Sequence, residues 1–137
     1  MYGMEPKYKR SLHRRAYTKQ QNGHHEVCGV VVLNGDKIEL EYCRNVAGPL
    51  GFSITGEELE RAKRRCWRQG KRFGGIFHSH PVSDAKPGQS DINGALPNKI
   101  MMIYDVCGRA AALWKVKIKN GERVLEHIQN IKTGFHQ

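Results

Sequence analysis

The feature that most constrains the fold occurs twice: an Asn-Gly pair set between two runs of apolar or alternating residues. Asn34-Gly35 separates EVCGVVVL, rich in β-branched residues, from DKIELEYCRNV, where Ile38, Leu40 and Tyr42 alternate. Asn120-Gly121 separates AALWKVKI from RVLEHIQNI. Asn-Gly adopts the tight turns that fold two strands back on each other, so each pair predicts an antiparallel hairpin. RFGGIFHSHP and KIMMIYDV read as two further strands. SITGEELERAKRRCWRQG reads as a helix: Thr55 and Glu58 form a capping box and Gly70 suits the position just past the end. Its apolar face is expected to hold Leu59, Ala62, Cys66 and Trp67, with Glu57–Arg61 and Glu60–Arg64 paired outside. SDINGAL makes only a short helix before Pro97. The order predicts an α+β domain, a largely meandering sheet with helices packed on it. No internal repeat is found.

Length and composition set bounds on function. At 137 residues the chain is long enough for one hydrophobic core. It divides into a basic N-terminal segment, residues 1–22, with weak helical character, and a domain over residues 23–137. No apolar run reaches the length of a membrane span, and the basic start lacks the apolar stretch of a secretory signal. Cys28, Cys43, Cys66 and Cys107 form no CxxC pair and read as buried reduced thiols. A soluble, cytoplasmic protein with no membrane partner is expected. The formal charge of +10 concentrates near the start and in residues 61–72. Such patches suit acidic protein faces or nucleic acid, but no aromatic-interleaved or groove-reading motif accompanies them.

The chemistry lies in HSHPVSDAKPGQSD, residues 78–91. Residues i and i+2 of a strand share a face, so His78 and His80 aim at one point. Pro81 ends the strand, and the following loop is long enough to return Asp91 beside them. Two imidazoles and a carboxylate are a ligand set for a catalytic Zn2+, with the fourth position left for water. Glu26, at the head of the first strong strand, is the candidate to shuttle a proton. Ser79 alternates to the opposite face and reads as structural. His24 and His25 read as solvated surface, and His13, His127 and His136 have no partner pattern.

Taken together, the glutamate of EVCG, HSHP, and an aspartate eleven residues after the second histidine resemble the JAMM metalloproteases, also called JAB or MPN-plus domains. The resemblance runs from about residue 26 to about residue 118. It implies a JAB/MPN-like (cytidine-deaminase-like) fold with a mixed, mostly antiparallel sheet. It implies that His78, His80 and Asp91 bind one zinc and that Glu26 is the general acid/base. It also implies hydrolysis of the bond after the C-terminal Gly-Gly of a ubiquitin-like or sulfur-carrier protein, as in small prokaryotic members. One position departs: Gly88 stands where the family carries an oxyanion-stabilising serine. Losing such a donor costs other enzymes about 2.7–4 kcal/mol of barrier. Ser90, Gln89 or the bare backbone N–H of Gly88 are candidate substitutes. The alternative is a weakly active or non-hydrolytic module, resembling RadC-type proteins in its DAKPGQSDI loop, whose basic surface binds nucleic acid or a partner.

Overall fold

The computed structural model describes residues 1–23, 25–47 and 51–133. His24, His136 and residues 48–50 of the AGPLG loop lie outside them. Ten elements follow in chain order: β1 (Gly3–Met4), α1 (Pro6–Gln21), β2 (Cys28–Asn34), β3 (Lys37–Cys43), α2 (Gly56–Arg68), β4 (Arg72–His80), α3 (Gln89–Gly94), β5 (Ile100–Asp105), β6 (Ala110–Lys119) and β7 (Glu122–Lys132). The strands form one sheet in the order β1-β3-β2-β4-β5-β6-β7. The β1–β3 and β4–β5 pairs are parallel and the rest antiparallel.

Both hairpins form, with different turns. At the second, Lys119 pairs with Glu122 and the loop is Asn120-Gly121, both at positive φ, as this type of tight turn requires. At the first, Asn34 pairs with Lys37, so the loop is Gly35-Asp36 and Asn34 closes the strand. Gly75 permits the β4–β5 pairing. It sits at φ +147, and a Cβ there would fall 1.8 Å from the Ile100 carbonyl oxygen.

The sheet carries helices on both faces. On one, Leu12 and Ala16 of α1 pack with Val31, Phe77, Met102, Tyr104 and Leu113. On the other, Ala62 and Cys66 of α2 pack with Val30 and Val32. Ile76, Ala95, Met101, Ile103 and Val116 extend that second layer beside α3. Gln129 of β7 exchanges two hydrogen bonds with the Tyr2 backbone, at 2.8 and 2.9 Å, tying the two edge regions of the sheet together.

Several expectations change here. Residues 6–21, read as weakly helical, form a sixteen-residue helix begun by Pro6. Only two of its residues are fully buried, which is why the sequence signal was faint. Helix α2 is capped as expected at Thr55, whose Oγ1 accepts from the Glu58 N–H at 3.2 Å. The reciprocal half of the box is replaced: Glu58 Oε2 lies 3.4 Å from the Arg44 backbone nitrogen. At the other end the N–H groups of Gly70 and Lys71 reach the Trp67 and Cys66 carbonyls, a Schellman closure. Glu57–Arg61 pairs at 2.6 Å, but Glu60 pairs with Lys63 rather than Arg64. Trp67 does not join the core; it is 82% exposed. One step along a helix turns a side chain by about 100°, which carries Trp67 off the stripe that Cys66 occupies. Cys107 is likewise exposed, whereas Cys28 and Cys66 are buried and Cys43 half-buried; none is in a disulfide.

Candidate metal centre

β4 is the middle strand of the seven, and its C-terminal end holds three consecutive buried polar residues. His78 is fully enclosed, and Ser79 alternates to the face of α1 as expected. There Ser79 Oγ accepts the Val27 N–H at 2.9 Å while the Ser79 N–H donates to the Val27 carbonyl at 3.0 Å. These two bonds fix the chain one residue after Glu26. Asn45 fixes it from the other side, donating Nδ2–H to the Glu26 carbonyl at 3.1 Å and to the Gly51 carbonyl at 2.9 Å.

His78, His80 and Asp91 converge: one ligand atom from each lies within 4.8 Å of the other two. Two ligands each about 2.0–2.1 Å from a tetrahedral zinc stand roughly 3.3 Å apart, close to the 3.0 Å from His80 Nε2 and the 3.1 Å from His78 Nε2 to the Asp91 oxygens. The hydrogen bonds fix which nitrogen faces inward. His80 Nδ1 is 2.6 Å from the Asp84 carbonyl, so Nδ1 carries the proton and donates it there. His80 Nε2 is then a bare lone pair, 3.0 Å from Asp91 Oδ2. His78 repeats the arrangement, with Nδ1 3.1 Å from Glu26 Oε1 and Nε2 3.1 Å from Asp91 Oδ1. His78 Nε2 is buried and, among the described residues, has no hydrogen-bond partner of acceptable geometry.

Two lone pairs thus face the two oxygens of one carboxylate, inside the protein. Such an array repels itself unless a cation sits in it. The residues therefore fit a divalent metal, and without one a proton relieves the same conflict. That is the physical content of the pKa shifts. Burial alone disfavours the protonated form of each imidazole. For His78, contact with Asp91 and Glu26 outweighs it; for His80, Asp91 and the Asp84 carbonyl do. Both are raised. Burial pushes Asp91 up, yet its close contacts with the His78 and His80 rings, which favour the carboxylate once those rings hold a proton, prevail and hold the carboxyl well below the usual range.

Local structure delivers Asp91. It lies in the first turn of α3, and its Oδ2 accepts the Gly88 N–H at 2.8 Å, the capping-box bond that fixes the carboxylate. The Gly88 N–H is therefore spent on orienting Asp91, which removes it as a free oxyanion donor. Ser90 is exposed and lines a cleft of about 540 Å³ together with Glu26, His80, Gly88 and Asp91. Gln89 turns its amide to Asn93 Oδ1 at 3.0 Å.

Three contributors carried no signal in the sequence: the Asp84 carbonyl, the Asn45 clamp, and Phe52, whose ring stacks on His78 with centroids 4.1 Å apart. His25, expected on the surface, is half-buried. His13 contacts the Tyr104 hydroxyl, and His127 lies edge-on to Trp114.

The model of a family described as prokaryotic homologs of the JAB domain matches residues 9–117. This chain is a member of the prokaryotic JAB family. Solved structures agree on the JAB fold. A solution structure of a Desulfitobacterium hafniense protein superposes with a TM-score of 0.69 at 22% identity, covering 92% of this chain and 90% of that one. A Salinibacter ruber protein gives 0.57 at 16% identity over 92% and 88%. A JAB1/MPN domain protein from Archaeoglobus fulgidus gives 0.52 at 17% over 90% and 94%. No curated protein matches. The JAB match begins inside α1 and takes in Glu26, His78, His80 and Asp91. Among the described residues, no helix is long and apolar enough to cross a membrane.

Proposed function

We propose that this JAB-family chain is a zinc-dependent hydrolase. On this reading it cleaves the peptide or isopeptide bond after the C-terminal Gly-Gly of a ubiquitin-like or sulfur-carrier protein. The observation that carries it is the pair of buried imidazole lone pairs turned on the two oxygens of Asp91. His78, His80 and Asp91 would hold the ion. When bound, zinc supplies a Lewis acid that makes a coordinated water a nucleophile at neutral pH. Asp84 and Glu26 keep the proton of each imidazole on Nδ1 and the lone pair inward.

Glu26 has a second task. It lines the cleft with His80 and Asp91, and only Oε1 is engaged with His78. On this reading the carboxylate takes the proton released as water adds to the scissile carbonyl and hands it to the departing amine as the C–N bond breaks. The carbonyl carbon gains the hydroxyl and the leaving nitrogen gains the proton. Ser90, on the first turn of α3, is the side chain available to support the oxyanion, with Gly88 unable to do so.

The test is hydrolysis of a Gly-Gly-tailed ubiquitin-like fusion by the zinc-loaded protein. Glu26→Gln should retain zinc and lose about 10²–10⁴ in kcat, the span of general acid–base catalysis. Unchanged cleavage by Glu26→Gln would remove Glu26 from the chemistry.

One observation favours a second reading, nucleic-acid binding. Trp67 stands exposed between Arg64 and Arg68, neither in an ion pair among the described residues, as on a stacking platform for single strands. Binding to single-stranded DNA that weakens steeply with salt and is lost in Trp67→Ala would support it; no binding near physiological salt would end it.

A further inference from the structure

Glu26 lines two cavities, not one. The first is the cleft over His80 and Asp91. The second, also about 540 Å³, lies between α1 and the ends of β2 and β3 and shares only Glu26 with the first among the described lining residues. Arg14, Arg15, Lys19 and Arg44 line it, with Tyr42 as part of its wall. Among the described residues that line it, Glu26 is the only carboxylate, and its Oε1 is occupied by His78. Among the described residues, none of the four cationic side chains makes an ion pair. The Arg15 guanidinium carbon lies over the Tyr42 ring, 4.1 Å from its centroid, a cation–π contact that restrains the side chain. Glu58 contacts the backbone nitrogen of Arg44 at 3.4 Å.

A concave surface lined by one sign of charge concentrates the opposite sign, and guanidinium forks match carboxylates in particular. We propose that this cavity binds a carboxylate carried by the substrate on the leaving-group side of the scissile bond. This rests on the hydrolase reading above and deepens it. A residue that protonates the departing nitrogen must touch it, so the part of the substrate beyond that nitrogen starts beside Glu26. The cationic cavity begins there. The chemical class is an acidic leaving segment, either a single residue with its free α-carboxylate or a chain with Asp or Glu just after the cut.

The experiment uses the full zinc-loaded chain and three substrates ending Gly-Gly-Ala-amide, Gly-Gly-Ala with a free carboxylate, and Gly-Gly-Asp-amide. The readout is the ratio of kcat/KM for each acidic substrate to the neutral one. A preference of about tenfold or more is expected, the scale of one charge-assisted hydrogen bond, and it should shrink toward one in the double variant Arg14→Gln/Lys19→Gln. Preference for the free carboxylate alone identifies the terminal group as occupant; preference for Asp-amide identifies a side chain. A parallel anisotropy titration follows a labelled Asp-containing amidated peptide on the metal-free protein, where binding should weaken in the same double variant. Cleavage with a ratio near one and equal peptide binding by both proteins would overturn the cavity assignment while leaving the hydrolase standing. No cleavage of any substrate, with peptide binding still dependent on Arg14 and Lys19, would sink the hydrolase reading and keep the anion site.

Discussion

The end of β4 and the outer hairpin β6–β7 solve the same problem in opposite ways. Both bring carboxylates against nitrogen bases. On the hairpin, Glu126 meets Lys117 at 2.8 Å and Lys119 at 2.6 Å, all three well exposed to water. Opposite charges meet and solvent tolerates any misfit, so the arrangement is complete and worth little. At the end of β4, Asp91 meets two imidazoles that present lone pairs, inside a site where His78 is fully enclosed. That arrangement is incomplete by itself. Groups that would be costly to bury unpaired are held together there, an arrangement that could take a cation and differs from a structural salt bridge.

The largest way to break this contrast is to remove the metal. Chelation should lower the stability of the wild type by about 2.7 kcal/mol relative to protein in zinc at a hundredfold excess over Kd, on the order of 10 °C in Tm. Scanning calorimetry with and without chelator reads it directly, and an unchanged Tm would make the β4 site as self-sufficient as the hairpin. A smaller effect sharpens the account of how the site is held. Ser79→Ala removes the acceptor for the buried Val27 N–H and should cost about 1–3 kcal/mol by urea unfolding. It should also reduce kcat, because Glu26 loses its anchor, while zinc content stays unchanged.

The smallest effect lies on the hairpin. Hydrogen bonds from Lys117 and Lys119 hold the Glu126 carboxyl at about 2, below its ordinary value. A depressed pKa means that its contribution is present above the ordinary carboxylate range and fades as pH falls toward about 2. The Tm gap between wild type and Glu126→Gln should therefore be small at pH 7 and shrink steadily below about pH 4.5. A gap that widens on acidification would show the pair is not an ion pair at all.

What the sequence disclosed, it disclosed through short-range rules. The hairpins, the ends of α2, and the shared face of His78 and His80 stem from two-residue turns, capping and strand alternation. Asp91 was legible because a fixed offset from His80 combined with a helix start. The failures have equally definite causes. Helix α1 buries only Leu12 and Ala16, too narrow a stripe to stand out from its lysines and arginines. Trp67 comes directly after a buried cysteine near the end of its helix, where one residue of rotation decides between core and solvent. Phe52, Asn45 and the Asp84 carbonyl reach the site from loops, and no periodicity links a loop to a distant strand. The cationic cavity joins α1 to the ends of β2 and β3, so it exists only once the chain is folded.

The central claim is that His78, His80 and Asp91 form one cation site while Glu26 serves the reaction. Zinc titration of metal-stripped protein by calorimetry, with wild type, Asp91→Ala and Glu26→Gln side by side, tests it most directly. The account predicts a stoichiometry of about one for wild type and Glu26→Gln and no binding for Asp91→Ala, as expected of a three-ligand site. Equal zinc binding by wild type and Asp91→Ala would contradict it.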